Sequence, residues 1–156
     1  MERQAFAKLV IENERQLYRI AKSILKSDED CADAAQEAVA RGFAALPALK
    51  EERYAKTWLI RILIHECYRI AKERAKFLSL EQETQQRDCG KNKDYSELYE
   101  ALSSLSADFR VTLVMHYMEG YSVKEMADIL QLPEGTVKSR MARGREQLRR
   151  ILEEGT

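Results

Sequence analysis

The chain has 156 residues, 26 Lys and Arg against 26 Asp and Glu, and a hydrophobic share of 45%. That balance fits a soluble protein of one or two small domains, and with only 2 prolines and 6 glycines it argues against a turn-rich sheet architecture. No apolar run approaches the ~20 residues of a membrane span, and the charged opening MERQAFAKLVIENERQ has no signal-peptide core, so the expected location is the cytoplasm, or a membrane reached only through a partner.

From Phe6 to Leu25 apolar residues recur at helical spacing (Phe6, Leu9, Val10, Leu17, Ile20, Ala21, Ile24), which predicts one long amphipathic helix. Ser27 with Asp30 behind it predicts an N-cap, and the helix it opens runs to about Leu46, before Pro47. A third helix covers Ala55 to Phe77, with Trp58, Leu59, Ile62, Leu63, Cys67 and Ile70 as its buried stripe. The pattern fails over SLEQETQQRDCGKNKD, residues 79–94, which reads as a flexible linker. Helical periodicity returns from Tyr95 to Leu105 and from Ala107 to Met118, with Gly120 as a C-terminal stop. Ser122 to Glu125 is a capping-box pattern opening a short helix through Leu130. After the turn QLPEG, a last helix is expected from Thr136. The fold class is therefore all-α: two small helical domains, residues 1–78 and 95–156, joined by a linker at 79–94.

Cys31, Cys67 and Cys89 are far apart and odd in number, with no CxxC or Cys/His pairing. Unpaired reduced thiols fit that spacing better than a zinc site. No Gly-rich phosphate loop, HExxH motif or nucleophile–base pairing occurs. His65 and Glu66 are adjacent, and neighbours on a helix point about 100° apart. Neither an enzyme nor a cofactor nor a small-molecule substrate is expected.

The net charge of zero hides an uneven distribution. Residues 138–150 hold six bases (Lys138, Arg140, Arg143, Arg145, Arg149, Arg150) against one acid, and residues 53–76 hold seven bases against two acids. Residues 28–37 hold five acids and no base. Two basic helices and one acidic helix suggest two DNA-facing surfaces and one surface for a basic partner.

SVKEMADILQLPEGTVKSRMARGREQLRR, residues 122–150, has the parts of a helix-turn-helix. Val123, Met126, Ile129 and Leu130 would pack the first helix inward, Leu132 sits in the turn, and Val137 and Met141 anchor the second helix to the same core. Lys138, Ala142 and Arg145 then share an outer face flanked by Ser139 and Arg143, within reach of base edges or phosphates. Gly144 costs about 1 kcal/mol of helix propensity, which close packing could offset. An amphipathic helix with a solvated arginine face is the plainer alternative.

This wording resembles region 4 of the extracytoplasmic-function (ECF) sigma factors, RNA polymerase subunits of the sigma-70 family, where a Pro-x-Gly-Thr-Val-Lys-Ser-Arg run opens the recognition helix. Pro133, Gly135, Thr136, Val137, Lys138, Ser139 and Arg140 match it in order, and Leu102, Leu105, Arg110, Leu113, Gly120 and Ser122 match its lead-in. A response-regulator output domain of the LuxR kind shares the Thr-Val-Lys helix, and the first half of the chain discriminates. There DCADAAQEAVARGFAAL resembles region 2.2 through Asp33, Gln36 and Glu37, and KTWLIRILIHECYRIAKERAK resembles regions 2.3 and 2.4 through Thr57-Trp58-Leu59 and Arg61-Ile62. His65 stands where Asn is usual in that family, Arg69 where Asp is usual, and Ala142 where a larger side chain is frequent.

The resemblance implies an alternative sigma factor that binds core RNA polymerase and directs initiation by recognising the −10 and −35 promoter elements. On the −35 side it implicates Thr136, Lys138, Ser139, Arg140, Ala142, Arg143 and Arg145. On the −10 side it implicates Tyr54, Lys56, Arg61, His65, Tyr68, Arg69 and Lys72. Trp58 reads as core, Tyr54, Tyr68 and the loop LKEERYA are the base-capture candidates, and His65 reads equally as a satisfied polar residue. Asp33, Gln36, Glu37 and Arg41 would face polymerase, with carboxylates suited to arginines of the partner. The resemblance also implies an anti-sigma factor, often membrane-bound, as a further partner. A stand-alone DNA-binding regulator remains the rival class.

Overall fold

The computed structural model describes residues 1–78 and 96–154, with the side chains of Leu78 and Ser96 left aside. The stretch expected as a linker, 79–94, lies outside the described residues, as does Tyr95. The chain divides into two compact units, with the boundary between them falling within that stretch. Every regular element among the described residues is helical.

The first unit is built from α1 (Arg3–Glu12), α2 (Glu14–Ile24), α3 (Asp28–Ala45) and α4 (Ala55–Leu78). The single helix expected over Phe6–Leu25 is interrupted at Asn13, where the backbone leaves helical geometry (φ −112°, ψ 14°). The cause is local: the Asn13 amide nitrogen donates to the Leu9 carbonyl (2.8 Å), the kind of side-chain competition for backbone that disfavours Asn inside helices. At the start of α3 the expected cap is present, with Ser27 Oγ accepting from the Asp30 N–H (3.0 Å). The helix gives way to a 3₁₀ turn at Leu46–Ala48, and a second such turn, Glu52–Tyr54, leads into α4.

The stripe expected on α4 is too narrow. Trp58 and Ile62 are only half-buried, whereas Ile60, Ile64 and Glu66 are buried together with Leu59, Leu63, Cys67 and Ile70. Because α4 packs on both α2 and α3, more of its circumference is covered than a one-sided amphipathic helix would need. Cys31 and Cys67 are buried thiols, and burial pushes the Cys67 thiol up to about 12.

The second unit comprises α5 (Ser96–Ser103), α6 (Ala107–Leu113), α7 (Val123–Leu130) and α8 (Glu134–Glu154). The helix expected from Ala107 to Met118 changes character at Val114: residues Val114–Met118 form a π-helical turn, and the Glu119 N–H donates to the Val114 carbonyl five residues back (3.1 Å). Gly120 then turns the chain with a positive φ of 77°, fulfilling the stop expected there. Helix α8 packs on α5, α6 and α7. Its inner end joins Leu102, Leu105 and Leu113, with Leu98, Phe109, Leu148 and Ile151 closing around them.

Close approach of helices depends on two small residues. A Cβ at Gly144 would lie 3.2 Å from Leu113 Cδ1 and from Phe109 Cβ, so the packing that offsets its poor helix propensity is present. At Gly42 a Cβ would lie 2.7 Å from Phe6 Cζ. The Phe6 ring is completely buried and stands edge-on to Phe43 (4.8 Å between centroids) and to Trp58 (6.0 Å), so it has no free direction in which to swing. Gly42→Ala is accordingly expected to destabilise the chain by about 1–3 kcal/mol through overpacking, read as a lower denaturant midpoint at unchanged helicity.

Candidate nucleic-acid and protein interfaces

The helix-turn-helix is assembled by local signals. Ser122 Oγ accepts from the Glu125 N–H (3.1 Å) while the Glu125 carboxylate accepts from the Ser122 N–H (3.0 Å), a complete capping box. Helix α7 buries Met126 and Ile129. It ends at Gln131, which takes the left-handed conformation (φ 55°, ψ 49°), and the Leu132 N–H returns to the Ala127 carbonyl (3.0 Å). Val123, Leu130 and Leu132 are half-buried. The Pro133 carbonyl accepts from Thr136 and Val137, so α8 starts at Glu134, two residues earlier than expected. Proline fits the position, since a residue preceding the first turn needs no N–H of its own.

On α8 the buried residues Val137, Met141 and Gly144 turn the opposite side outward. Lys138, Ser139, Ala142, Arg143 and Arg145 are exposed, and Thr136 and Arg140 half-buried. Asp108, Phe109, Pro133, Gly135, Thr136 and Ser139 border a shallow groove with Arg140 and Arg143. Arg140 is 3.6 Å from Asp108, and Arg145 Nη1 donates to the Tyr117 hydroxyl (3.3 Å). Lys138 and Arg143 have no ion-pair partner among the described residues. Further along, Arg149 pairs with Glu146 (2.6 Å) and Glu153 (2.8 Å), and Arg150 with Glu146 (3.3 Å). The unneutralised charge therefore lies in the first turns of α8.

Arg110, part of the motif lead-in, is buried rather than surface-facing. Its Nη1 donates to the Leu105 carbonyl (2.7 Å), tying the end of the α5 turn to α6. His116 Nδ1 meets the Tyr121 carbonyl at 2.7 Å and braces the chain just ahead of the capping box.

In the first unit Arg61, His65, Tyr68 and Lys72 follow the helical spacing of one row along α4. His65 and Lys72 are exposed, and Arg61 and Tyr68 half-buried. Tyr54 is exposed before the helix, with the Arg53 guanidinium over its ring at 4.7 Å. Two expected residues stand apart from that row. Lys56 precedes Arg61 by five residues, about 140° round the helix. Arg69 turns the other way: its Nε donates to Glu66 and its Nη1 to Glu73, both at 2.9 Å.

The acidic helix divides into a buried and an open part. Asp30 is buried and held bidentate by Arg74 (3.0 and 2.8 Å), a pairing across 44 residues that no local pattern announces. Asp28 accepts from Lys22 (2.9 Å) and from the Tyr18 hydroxyl, and these bonds hold its carboxyl below the usual carboxylate range. Asp33 and Gln36 are exposed and Glu37 is half-buried. Along α4, Arg69, Ile70, Glu73, Arg74 and Phe77 border a shallow groove shared with Asp33, Gln36 and Glu37. Arg41 Nε lies 3.1 Å from Glu37 and 2.8 Å from Glu66. Glu66, flanked in the chain by His65 and Cys67, carries no sequence signal of an interface role.

No helix among the described residues is long and apolar enough to cross a membrane. Residues 9–77 match the family described as Sigma-70 region 2, and residues 95–148 match Sigma-70, region 4. The chain is 32% identical over 154 residues to the ECF RNA polymerase sigma factor SigM of Mycobacterium tuberculosis, spanning 97% of this chain and 79% of that protein. The sigma factor RpoE of Bartonella quintana, solved in complex with the anti-sigma factor NepR, has the same fold (TM-score 0.79, 24% identity, 96% of this chain and 98% of that one). So does CnrH, solved with the cytosolic domain of CnrY (TM-score 0.75, 24% identity, 99% and 92%).

The capping box offers a direct check on how the turn is held. Ser122→Ala removes one half of it and is expected to destabilise the second unit by about 1 kcal/mol. Thermal unfolding followed by circular dichroism measures the loss, and Ser122→Asp, which keeps an acceptor, should recover most of it.

Proposed function

The chain belongs to the ECF RNA polymerase sigma factors, the subunits that bind core polymerase and direct initiation at chosen promoters, and we propose how its two units share that work. The observation that carries the reading is the capped α7, left-handed turn and α8, with Lys138 and Arg143 unneutralised in the early turns of α8. In this reading residues 95–156 take the −35 element in the major groove. Lys138, Ser139, Ala142 and Arg143 are its base-edge readers, and Thr136, Arg140 and Arg145 stand beside them toward the backbone.

Residues 1–78 take the −10 element and polymerase. Arg61, His65, Tyr68 and Lys72 form the row offered to DNA, with Tyr54 at its head as a stacking group. Lys56 flanks it as a candidate for phosphate contact, while Arg69, expected beside it, is held by Glu66 and Glu73. Asp33, Gln36 and Glu37 accept from basic groups of core polymerase, with Arg41 beside them. The work is regulatory rather than catalytic and takes place in the cytoplasm. An anti-sigma factor, as in the solved complex of RpoE with NepR, is the partner that would mask these faces and could hold the chain at a membrane.

Run-off transcription with core polymerase, with and without the chain, tests the reading as a whole. Promoter-specific transcript is expected only with it. The Asp33→Lys, Glu37→Lys double variant should keep its helicity and lose most of its retention by core polymerase; unchanged retention would refute the docking face.

The early turns of α8 are tested by comparing Lys138→Ala with Arg149→Ala in holoenzyme binding to a panel of −35 variants. Loss of a base-edge contact costs on the order of 1–3 kcal/mol and varies with sequence. Loss of a backbone contact weakens every site alike and lowers the salt slope by about one unit. Because Arg149 is shared with Glu146 and Glu153, its uniform effect should be the smaller one. Indistinguishable profiles across the panel would mean that this helix does not enter the groove as assigned.

A further inference from the structure

Tyr117 belongs to the π-helical turn Val114–Met118 and is 61% exposed, so core packing does not account for where it stands. Two neighbours do. The His116 ring lies edge-on to it (4.9 Å between centroids, 82° between planes), and His116 is itself fixed by the Tyr121 carbonyl at its Nδ1 (2.7 Å). At the far end of the ring, Arg145 Nη1 reaches back across 28 residues and donates to the Tyr117 hydroxyl (3.3 Å).

Arg145 is exposed and follows Lys138 by seven residues, which is two turns or about 10 Å further along the same face of α8. The later arginines, Arg149 and Arg150, are held by carboxylates, which fix the guanidinium and offset its charge together. Arg145 makes no ion pair among the described residues, and its hydrogen-bond partner is a neutral phenol. A phenol oxygen accepts the N–H and restrains a side chain that otherwise carries about 2 kcal/mol of rotamer entropy, yet it leaves the positive charge whole. We propose that Tyr117 is a positioning residue for −35 binding: braced by His116, its hydroxyl holds Arg145 ready for a DNA phosphate without neutralising it. This rests on the reading that sets Arg145 toward the backbone of the −35 element. A phosphate contact carries no sequence information, so Tyr117 adds affinity at every −35 sequence alike, and does so through Arg145.

The test is a double-variant cycle, read as binding of holoenzyme to labelled promoter DNA with a panel of −35 variants at several salt concentrations. Arg145→Ala is expected to weaken binding about three- to tenfold across the panel and to lower the salt slope by about one unit. Tyr117→Phe keeps the ring and removes only the hydroxyl. It should weaken binding about two- to fourfold, evenly across the panel, with the salt slope nearly kept, because the charge remains but has to be ordered on binding. Its thermal unfolding by circular dichroism should match that of the original chain. In the Arg145→Ala background, Tyr117→Phe should have no further effect. A loss that persists in that background makes the hydroxyl a direct DNA contact or a merely structural group, and overturns the positioning role. If Arg145→Ala changes neither affinity nor slope, the backbone reading of Arg145 is wrong and the proposal falls with it. If Arg145→Ala weakens binding while Tyr117→Phe does not, the Tyr117 role alone is overturned.

Discussion

Helix α4 is packed on two neighbours at once, α2 and α3, and the surfaces of the first unit follow from that constraint. A helix covered on two sides keeps only a narrow strip for solvent. On α4 that strip carries Arg61, His65, Tyr68 and Lys72, while the margin nearest α3 carries Glu66, Arg69, Glu73 and Arg74, all tied into ion pairs. The same packing that forms the core therefore separates a basic row from a charge-balanced seam. In the proposed reading DNA takes the basic row of α4 and the basic protein partner takes the acids of α3 across the seam, without their charges cancelling.

The seam is long-range in the chain, and that limits what a sequence can disclose. Asp30 and Arg74 meet across 44 residues, and Arg41 reaches Glu66 from another helix. Periodicity located both helices and most of the apolar stripe, because hydrophobic spacing is a local property. It could not say that α4 is covered twice, so Ile60, Ile64 and Glu66 were left out of its buried set. Arg69 illustrates the cost. By composition it belongs to a basic helix, yet its guanidinium is spent on Glu66 and Glu73, a fact visible only once α4 has an orientation.

The second unit was more legible, because its functional geometry is made by neighbours in sequence. The capping box is a four-residue device and is present as read. The stop at Gly120 is likewise a matter of one residue's permitted φ. What escaped was the π-helical turn at Val114–Met118. It inserts one residue's worth of backbone without altering the apolar pattern, so nothing in the periodicity marks it. Gly144 is an intermediate case. Its weakness as a helix former signals a reason to be glycine, and Leu113 and Phe109 supply that reason only in three dimensions.

These features bear on the zero net charge, which taken alone argues against a DNA-binding protein. Non-specific affinity grows with the number of phosphates a protein can neutralise, and an evenly basic chain would be held by DNA of any sequence. Here the basic groups are rationed by pairing: Arg149 and Arg150 to Glu146 and Glu153, Arg69 and Arg74 to acids of the seam. The basic groups that the proposed reading offers to DNA are few, an early stretch of α8 and a row on α4. In the proposed division of labour each is a weak site by itself, and affinity comes from presenting both together on polymerase, where the second contact becomes effectively intramolecular. Selectivity for promoters over bulk DNA then follows from the arithmetic of joined weak sites, and the neutral total is part of how it is achieved.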